Sequence, residues 1–261
     1  MGKGMMIAVS GKGGVGKTTL ASLLCHVLTN RGYRVLAVDA DPDANLGMAL
    51  GFAPEQLHNV TTIADERSLL KGPKDQAHEH VHWNDLPIRI SDIPSKYLST
   101  RNGITLFQMG AVVSGGAGCA CTENAFIRTM LSNLIIQENE AVIIDMEAGL
   151  EHLGRGTGKA VDAFIVVVEP GQRSFATAKA VAKLAGDLGV SNIYAVASKI
   201  HDPNTDMIQA GIGEIPVIGV IPYLAEAVQA DLEGKPLLAY YPDVIRYAET
   251  IFEACIQRLG K

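Results

Sequence analysis

The stretch Gly11-Lys12-Gly13-Gly14-Val15-Gly16-Lys17-Thr18-Thr19 limits what this chain can fold into more than any other. It follows a short apolar run, Met5 to Val9, and opens a helical pattern near Lys17, so G-x-x-x-x-G-K-[ST] stands in its required strand, loop, helix context. A glycine-rich turn of this kind lets successive backbone N–H groups curl around phosphate oxygens, and the helix N-terminus adds positive potential. Lys17 is placed to reach the β and γ phosphates, and the Thr18 hydroxyl to bind Mg²⁺. Nucleotide binding by Gly11 to Thr19 is therefore expected. Lys12, a second lysine, is not demanded by the general pattern.

The rest of the chain alternates apolar runs with helical patterns, the signature of parallel strands joined by crossover helices. Leu20, Leu23, Leu24, Val27 and Leu28 recur at helical spacing and stop at Asn30-Arg31-Gly32, a glycine cap. A second strand, Val35 to Val38, delivers Asp39, Asp41 and Asp43 to its C-terminal end, which in a parallel sheet faces the ligand. Further strands are predicted at Ile104 to Met109, Ala141 to Ile144, Phe164 to Val168, Ile193 to Ala197 and Val217 to Ile221. Helices are predicted through Phe126, Met130, Leu131 and Leu134 with Thr122 as cap, and over Ser174 to Leu188, Glu226 to Leu232 and Val244 to Leu259. At 261 residues, 48% of them hydrophobic, the chain is long enough for one large core. The fold expected is α/β: a single P-loop domain over residues 1–261, with a mostly parallel twisted sheet flanked by helices. Residues 52–102, polar and interrupted by proline, read as an insertion over the sheet with a helix near Thr61 to Leu70.

A net charge of −6 lacks the basic surface that sequence-independent nucleic-acid binding requires. No signal core opens the chain and no apolar run approaches ~18 residues, so a cytoplasmic location without a membrane partner is expected. The last helix carries an apolar stripe (Ile245, Ala248, Phe252, Cys255, Ile256, Leu259) flanked by mixed charges, Glu249 and Glu253 against Arg246 and Arg258. Docking on the sheet is expected of it rather than membrane binding. Of the four cysteines, Cys25 and Cys255 fall on apolar helix faces and read as core thiols.

Two further stretches carry chemistry. Asp145-Met146-Glu147-Ala148-Gly149 ends an apolar strand in the manner of a Walker B segment: Asp145 can hold a magnesium-bound water, and the Gly149 amide can sense a γ-phosphate. Cys119 and Cys121, one residue apart after a glycine-rich turn, can grip one soft metal ion but fill only half of a four-coordinate shell. Two such loops facing each other in a dimer complete an S₄ site. Four-thiolate structural zinc is held by roughly 10 to 16 kcal/mol, so a carrier must be able to open its site, and ligands split between chains allow that. Softness favours Ni²⁺, Zn²⁺ or Cu⁺ without choosing among them, and two packed loop cysteines are the alternative. His78, His80 and His82 share one face if extended, where imidazoles can bind a transition metal, or are solvated loop histidines.

Lys12 with Lys17 and Thr18, Asp39-Ala40-Asp41-Pro42, and Asp145 with Ala148-Gly149 resemble the deviant Walker A ATPases, the group of MinD, ParA, Mrp and the nitrogenase iron protein. The resemblance implies a Mg²⁺-dependent ATPase that binds ATP and ADP and pairs as a homodimer. It further implies that Lys12 crosses to the partner's ATP, while Asp41 orients the attacking water and shares with Thr18 and Asp145 in holding magnesium. Such a cation acts as an arginine finger does, which raises rates by ~10³ to 10⁵.

Within the group, Cys119 and Cys121 with Glu123, Asn124 and Phe126, then Glu151-His152-Leu153, Arg155-Gly156-Thr157 and Lys183 to Gly189, resemble the CooC and AcsF nickel-insertion ATPases. That resemblance implies Ni²⁺ (or Zn²⁺ in its place) on Cys119 and Cys121, and nickel-containing carbon monoxide dehydrogenase or acetyl-CoA synthase as client. Glu151, His152 and Arg155 then relay nucleotide state towards the metal, or form an ordinary salt-bridged surface. On the adenine side, Ser198-Lys199 stands where many relatives have Asn-Lys, and Pro222, Tyr223 and Leu224 line the base as in relatives. An iron–sulfur carrier of the Mrp kind and a positioning ATPase of the MinD or ParA kind are the alternative functions.

Overall fold

Strand β1 (Met5–Gly11) is buried along its whole length. Its side chains alternate between two cores, Met5, Ile7 and Val9 on one side and Met6 and Ala8 on the other, as a strand covered on both faces must. The structure, a computed structural model, describes residues 4–62, 87–110, 121–148, 160–201 and 205–260. In those residues β1 is followed by β2 (Arg34–Asp39), β3 (Ile88–Arg89), β4 (Leu98–Arg101), β5 (Ile104–Gln108), β6 (Leu134–Ile135), β7 (Glu140–Asp145), β8 (Ala163–Val168), β9 (Ile193–Ile200) and β10 (Val217–Pro222). The helices are α1 (Lys17–Asn30), α2 (Leu46–Ala49), α3 (Pro54–His58), α4 (Cys121–Asn133), α5 (Gln172–Asp187), α6 (Asp206–Ile212), α7 (Ala225–Leu232), α8 (Leu237–Tyr240) and α9 (Ile245–Leu259).

Eight strands form one sheet in the order β10-β9-β8-β1-β7-β2-β5-β4, and β3 pairs with β6 in a separate ribbon. Every neighbouring pair in the large sheet is parallel except β4 with β5. One core joins the sheet to α1 and α9, the other to α4, α5 and α6. Helix α1 ends as its sequence dictates: Gly32 takes φ 84° and the Tyr33 amide donates back to the Leu28 carbonyl at 3.0 Å. The α/β class and mostly parallel sheet match expectation.

Some details differ. Within the expected insertion, Leu98–Arg101 does not lie over the sheet but adds its antiparallel edge, turned by Asn102 (φ 49°) and Gly103 (φ 79°). Asn-Gly is the pair that a two-residue hairpin with left-handed φ at both positions selects, and this short polar strand needs only one buried flank. Thr122 lies inside α4 rather than capping it, and Leu134 leaves the helix to pair with Ile88. Thr61 and Thr62 are not helical, while the remainder of that predicted helix, with His78, His80 and His82, lies outside the described residues.

The apolar stripe of α9 is spent on the core: Ala248, Ile251, Phe252 and Cys255 are buried, and Arg31 lies over the Phe252 ring at 4.9 Å. Among the described residues no helix is long and apolar enough to cross a membrane. Cys25 and Cys255 are buried and form no disulfide, and burial pushes the Cys25 thiol far above its usual range. Phe252→Ala should lower stability by about 3–5 kcal/mol, the cost of deleting a buried aromatic, as read from chemical denaturation. A loss under ~1 kcal/mol would contradict this packing.

Candidate functional site

Glycine geometry shapes the phosphate loop. Gly11 closes β1 with φ 150°, and a Cβ there would stand 2.5 Å from the Val167 carbonyl oxygen on the neighbouring strand. Gly16 enters α1 at φ 98°, where a Cβ would meet the Ser198 hydroxyl at 3.2 Å. Val15 between them is fully buried and anchors the loop. The loop lies where the sheet's connections diverge, with β7 on one side of β1 and β8 on the other, outside the carboxyl ends of the strands.

A cavity of about 340 Å³ opens over the loop, lined by Gly13, Gly14, Lys17, Thr18, Asp41 and Glu147 on one wall and by Ala227, Asp231, Gly234 and Lys235 on the other. A second, of about 310 Å³, shares Gly14, Gly16 and Thr19 and extends to Ser198, Lys199, Pro222, Tyr223 and Leu224. The residues read as phosphate side and base side thus border adjoining spaces. Tyr223 stacks on His201 with centroids 5.0 Å apart and leaves nearly half its surface exposed, a flat aromatic face beside the second cavity.

Charge is concentrated where the strands end. Lys17 is almost fully buried, with its Nζ 3.6 Å from Asp41 Oδ2. Asp39 accepts from the Leu46 amide at 3.0 Å and from the Asp41 amide at 3.4 Å, so it pins the segment carrying Asp41. Directly opposite it in register is Asp145. Burial, reinforced by Asp145, holds the Asp39 carboxyl well above the usual carboxylate range. Burial likewise pushes Asp145 up to about 6, against the downward pull of the Thr18 hydroxyl and the Lys17 charge. Neither Asp145 oxygen has a hydrogen bond of full geometry, though the Thr18 hydroxyl lies near enough to lower its pKa. Unpartnered, buried carboxylate oxygens beside a hydroxyl suit a hard divalent cation. Among the described residues no three His, Cys, Asp or Glu side chains converge as a complete cage, so a cation here would also need oxygens from phosphate or water.

Other contacts escaped sequence reasoning. The Ser10 hydroxyl donates to the Glu147 carbonyl at 2.7 Å, tying β1 to the segment after Asp145. Glu169, directly after β8, places Oε1 3.2 Å from Lys12 Nζ and Oε2 3.7 Å from Lys199 Nζ. Lys199 is an extra residue in β9: Ser198 pairs with Ile221 and Ile200 with Pro222, and Lys199 between them takes φ 57°. That bulge turns its ammonium onto the Gly14 carbonyl at 2.6 Å. A lone Glu after an apolar run and a Lys within a strand carry no sequence pattern; only Glu169-Pro170-Gly171 marks the strand's end. Gly149, Cys119, Glu151, His152 and Arg155 lie outside the described residues, and Cys121 is the first residue of α4.

Residues 6–237 match the CobQ/CobB/MinD/ParA nucleotide binding domain family. The chain is 38% identical over 260 residues to the carbon monoxide dehydrogenase accessory protein CooC of Rhodospirillum rubrum, covering 98% of each. Among solved structures it superposes on the Pyrococcus furiosus cell division ATPase MinD with TM-score 0.67 at 22% identity, covering 99% of this chain and 100% of that one. The septum site-determining protein MinD of Pyrococcus horikoshii, complexed with Mg-ADP, gives 0.66 at 19% identity, with 98% and 96% covered.

A raised carboxyl pKa means that the folded chain binds more protons than the unfolded one between about pH 4 and 6. Asp145 therefore favours folding below its unfolded pKa, and this contribution is lost as pH rises through about 6. Asp145→Asn, without metal or nucleotide, should match wild type near pH 4 and gain on the order of 3 kcal/mol over it above pH 7, by urea unfolding. A difference independent of pH would contradict the assignment.

Proposed function

The chain belongs to the CobQ/CobB/MinD/ParA nucleotide-binding family, and on that premise we propose that it is an ATP-hydrolysing metallochaperone serving a nickel enzyme. Its members include MinD- and ParA-type ATPases, and ATP hydrolysis is the activity read for this chain. The observation that carries the reading is the match to a carbon monoxide dehydrogenase accessory protein along 98% of both chains, in a chain that also holds Cys119-Ala120-Cys121.

In this reading ATP lies along the two adjoining cavities, its phosphates over Gly13 to Thr19 and its base towards Tyr223 and Leu224. Thr18, Asp145 and Asp41 would hold Mg²⁺, which would supply positive charge to the phosphate oxygens. Lys17, buried and already facing Asp41, neutralises the β and γ phosphates. Asp41 orients the attacking water, and its segment is held by Asp39. Two subunits close face to face, each Lys12 reaching the partner's ATP where charge develops as the phosphoryl group leaves. The Gly149 amide reports the γ-phosphate, and the segment after Asp145, tied to β1 through Ser10, passes nucleotide state on. The cargo is Ni²⁺, gripped by Cys119 and Cys121 of both chains and released to carbon monoxide dehydrogenase or acetyl-CoA synthase when hydrolysis alters their spacing. A soluble homodimer in the cytoplasm, without nucleic-acid or membrane partners, is the state this requires.

Nickel titration by calorimetry should give one ion per two chains in wild type and none in Cys119→Ala/Cys121→Ala. Undiminished stoichiometric binding by the double variant would sink the assigned site. Lys12→Ala should keep nucleotide affinity within a few-fold yet lose ATP-driven pairing and about 10³-fold in hydrolysis. Normal turnover by that variant would remove the trans lysine from the mechanism.

A further inference from the structure

Lys12 is not free in the single chain. Its Nζ stands 3.2 Å from Glu169 Oε1, and the other oxygen of that carboxylate stands 3.7 Å from Lys199 Nζ. We infer that Glu169 is a latch on Lys12: it holds, within one chain, the lysine that pairing needs, and so sets the chain concentration at which ATP-driven dimerisation begins. The inference rests on the trans-lysine reading above.

Three features make Glu169 a latch rather than an incidental neighbour. It is fixed at its root, since its amide donates to the Ser174 hydroxyl at 3.1 Å where α5 begins, so its carboxylate is presented to the loop from a set position. Its side chain is 24% exposed and that of Lys12 40%, which leaves the ammonium at the rim, screened enough to be held and open enough to leave. Release also strands no charge. When Lys12 departs, Glu169 keeps Lys199, whose bulged backbone and bond to the Gly14 carbonyl hold it in place independently. One lysine cannot serve this carboxylate and a partner's phosphates together, so the two contacts compete. The loop's shape depends on Lys199 and the buried Val15, and freeing Lys12 leaves it intact.

The test is a series of chain concentrations followed by sedimentation equilibrium with Mg²⁺ and a non-hydrolysable ATP analogue. It compares wild type with Glu169→Gln, Lys12→Ala and the double variant, each first checked for cooperative melting. Removing a partly exposed ion pair should lower the midpoint of pairing about two- to fivefold in Glu169→Gln, while Lys12→Ala and the double variant stay monomeric. A variant that merely loosened the fold would not pair more readily, nor would its gain depend on Lys12. Glu169→Ala should shift the midpoint in the same direction and carries the test if the glutamine variant fails to fold. A midpoint unchanged or raised, with Lys12→Ala still monomeric, overturns the latch and leaves the trans lysine standing. Wild-type pairing by Lys12→Ala overturns both.

Discussion

Burial of charge at the carboxyl ends of β1, β2 and β7 is the constraint on which the rest depends. Lys17, Asp39, Asp41 and Asp145 are all buried: Lys17 opens α1, Asp39 and Asp145 end the adjacent strands β2 and β7 in register, and Asp41 follows β2 by two residues. Low local polarity strengthens every interaction among them and makes each unsatisfied group costly. The two sheet-end carboxylates respond by holding their protons more tightly, Asp39 well above the usual range and Asp145 near 6. A site so arranged is incomplete by itself. In the proposed mechanism, phosphates would partner Lys17 and a divalent cation Asp145.

Around that buried centre the loop is fastened from both sides. Ser10 and the Met146 amide, which donates to the Val9 carbonyl at 3.1 Å, join β1 to the segment after Asp145. On the other side the Lys199 bulge grips Gly14 and shares Glu169 with Lys12. In the proposed mechanism, one flank would answer to the γ-phosphate side and the other to the rim that a partner subunit meets. A chain built this way can couple what is bound within it to what approaches from outside, through residues that touch the same nine-residue loop.

Much of this was legible from residue order because the physics is local. The phosphate loop carries its turn glycines, its lysine and its helix start in consecutive positions, and fully apolar strands such as Phe164 to Val168 announce burial on both faces. Contacts made by tertiary proximity were not legible. Glu169 and Lys12 are distant in sequence and meet only because β1 and β8 are neighbours, and Asp231, Gly234 and Lys235 border the loop's cavity only because the end of α7 and the turn after it face the loop across it. The antiparallel edge was signalled by Asn102-Gly103 but obscured by its polar strand. Thr122 looked like a cap by residue type, yet helix geometry continues through it.

In the proposed mechanism nucleotide brings two chains together around one metal ion. Native mass spectrometry of the nickel-loaded protein, with and without Mg²⁺ and a non-hydrolysable ATP analogue, reads both quantities at once. Two chains with two nucleotides and a single nickel ion are expected when the analogue is present. A single chain that keeps its nickel, or a pair carrying one nickel per chain, would contradict it.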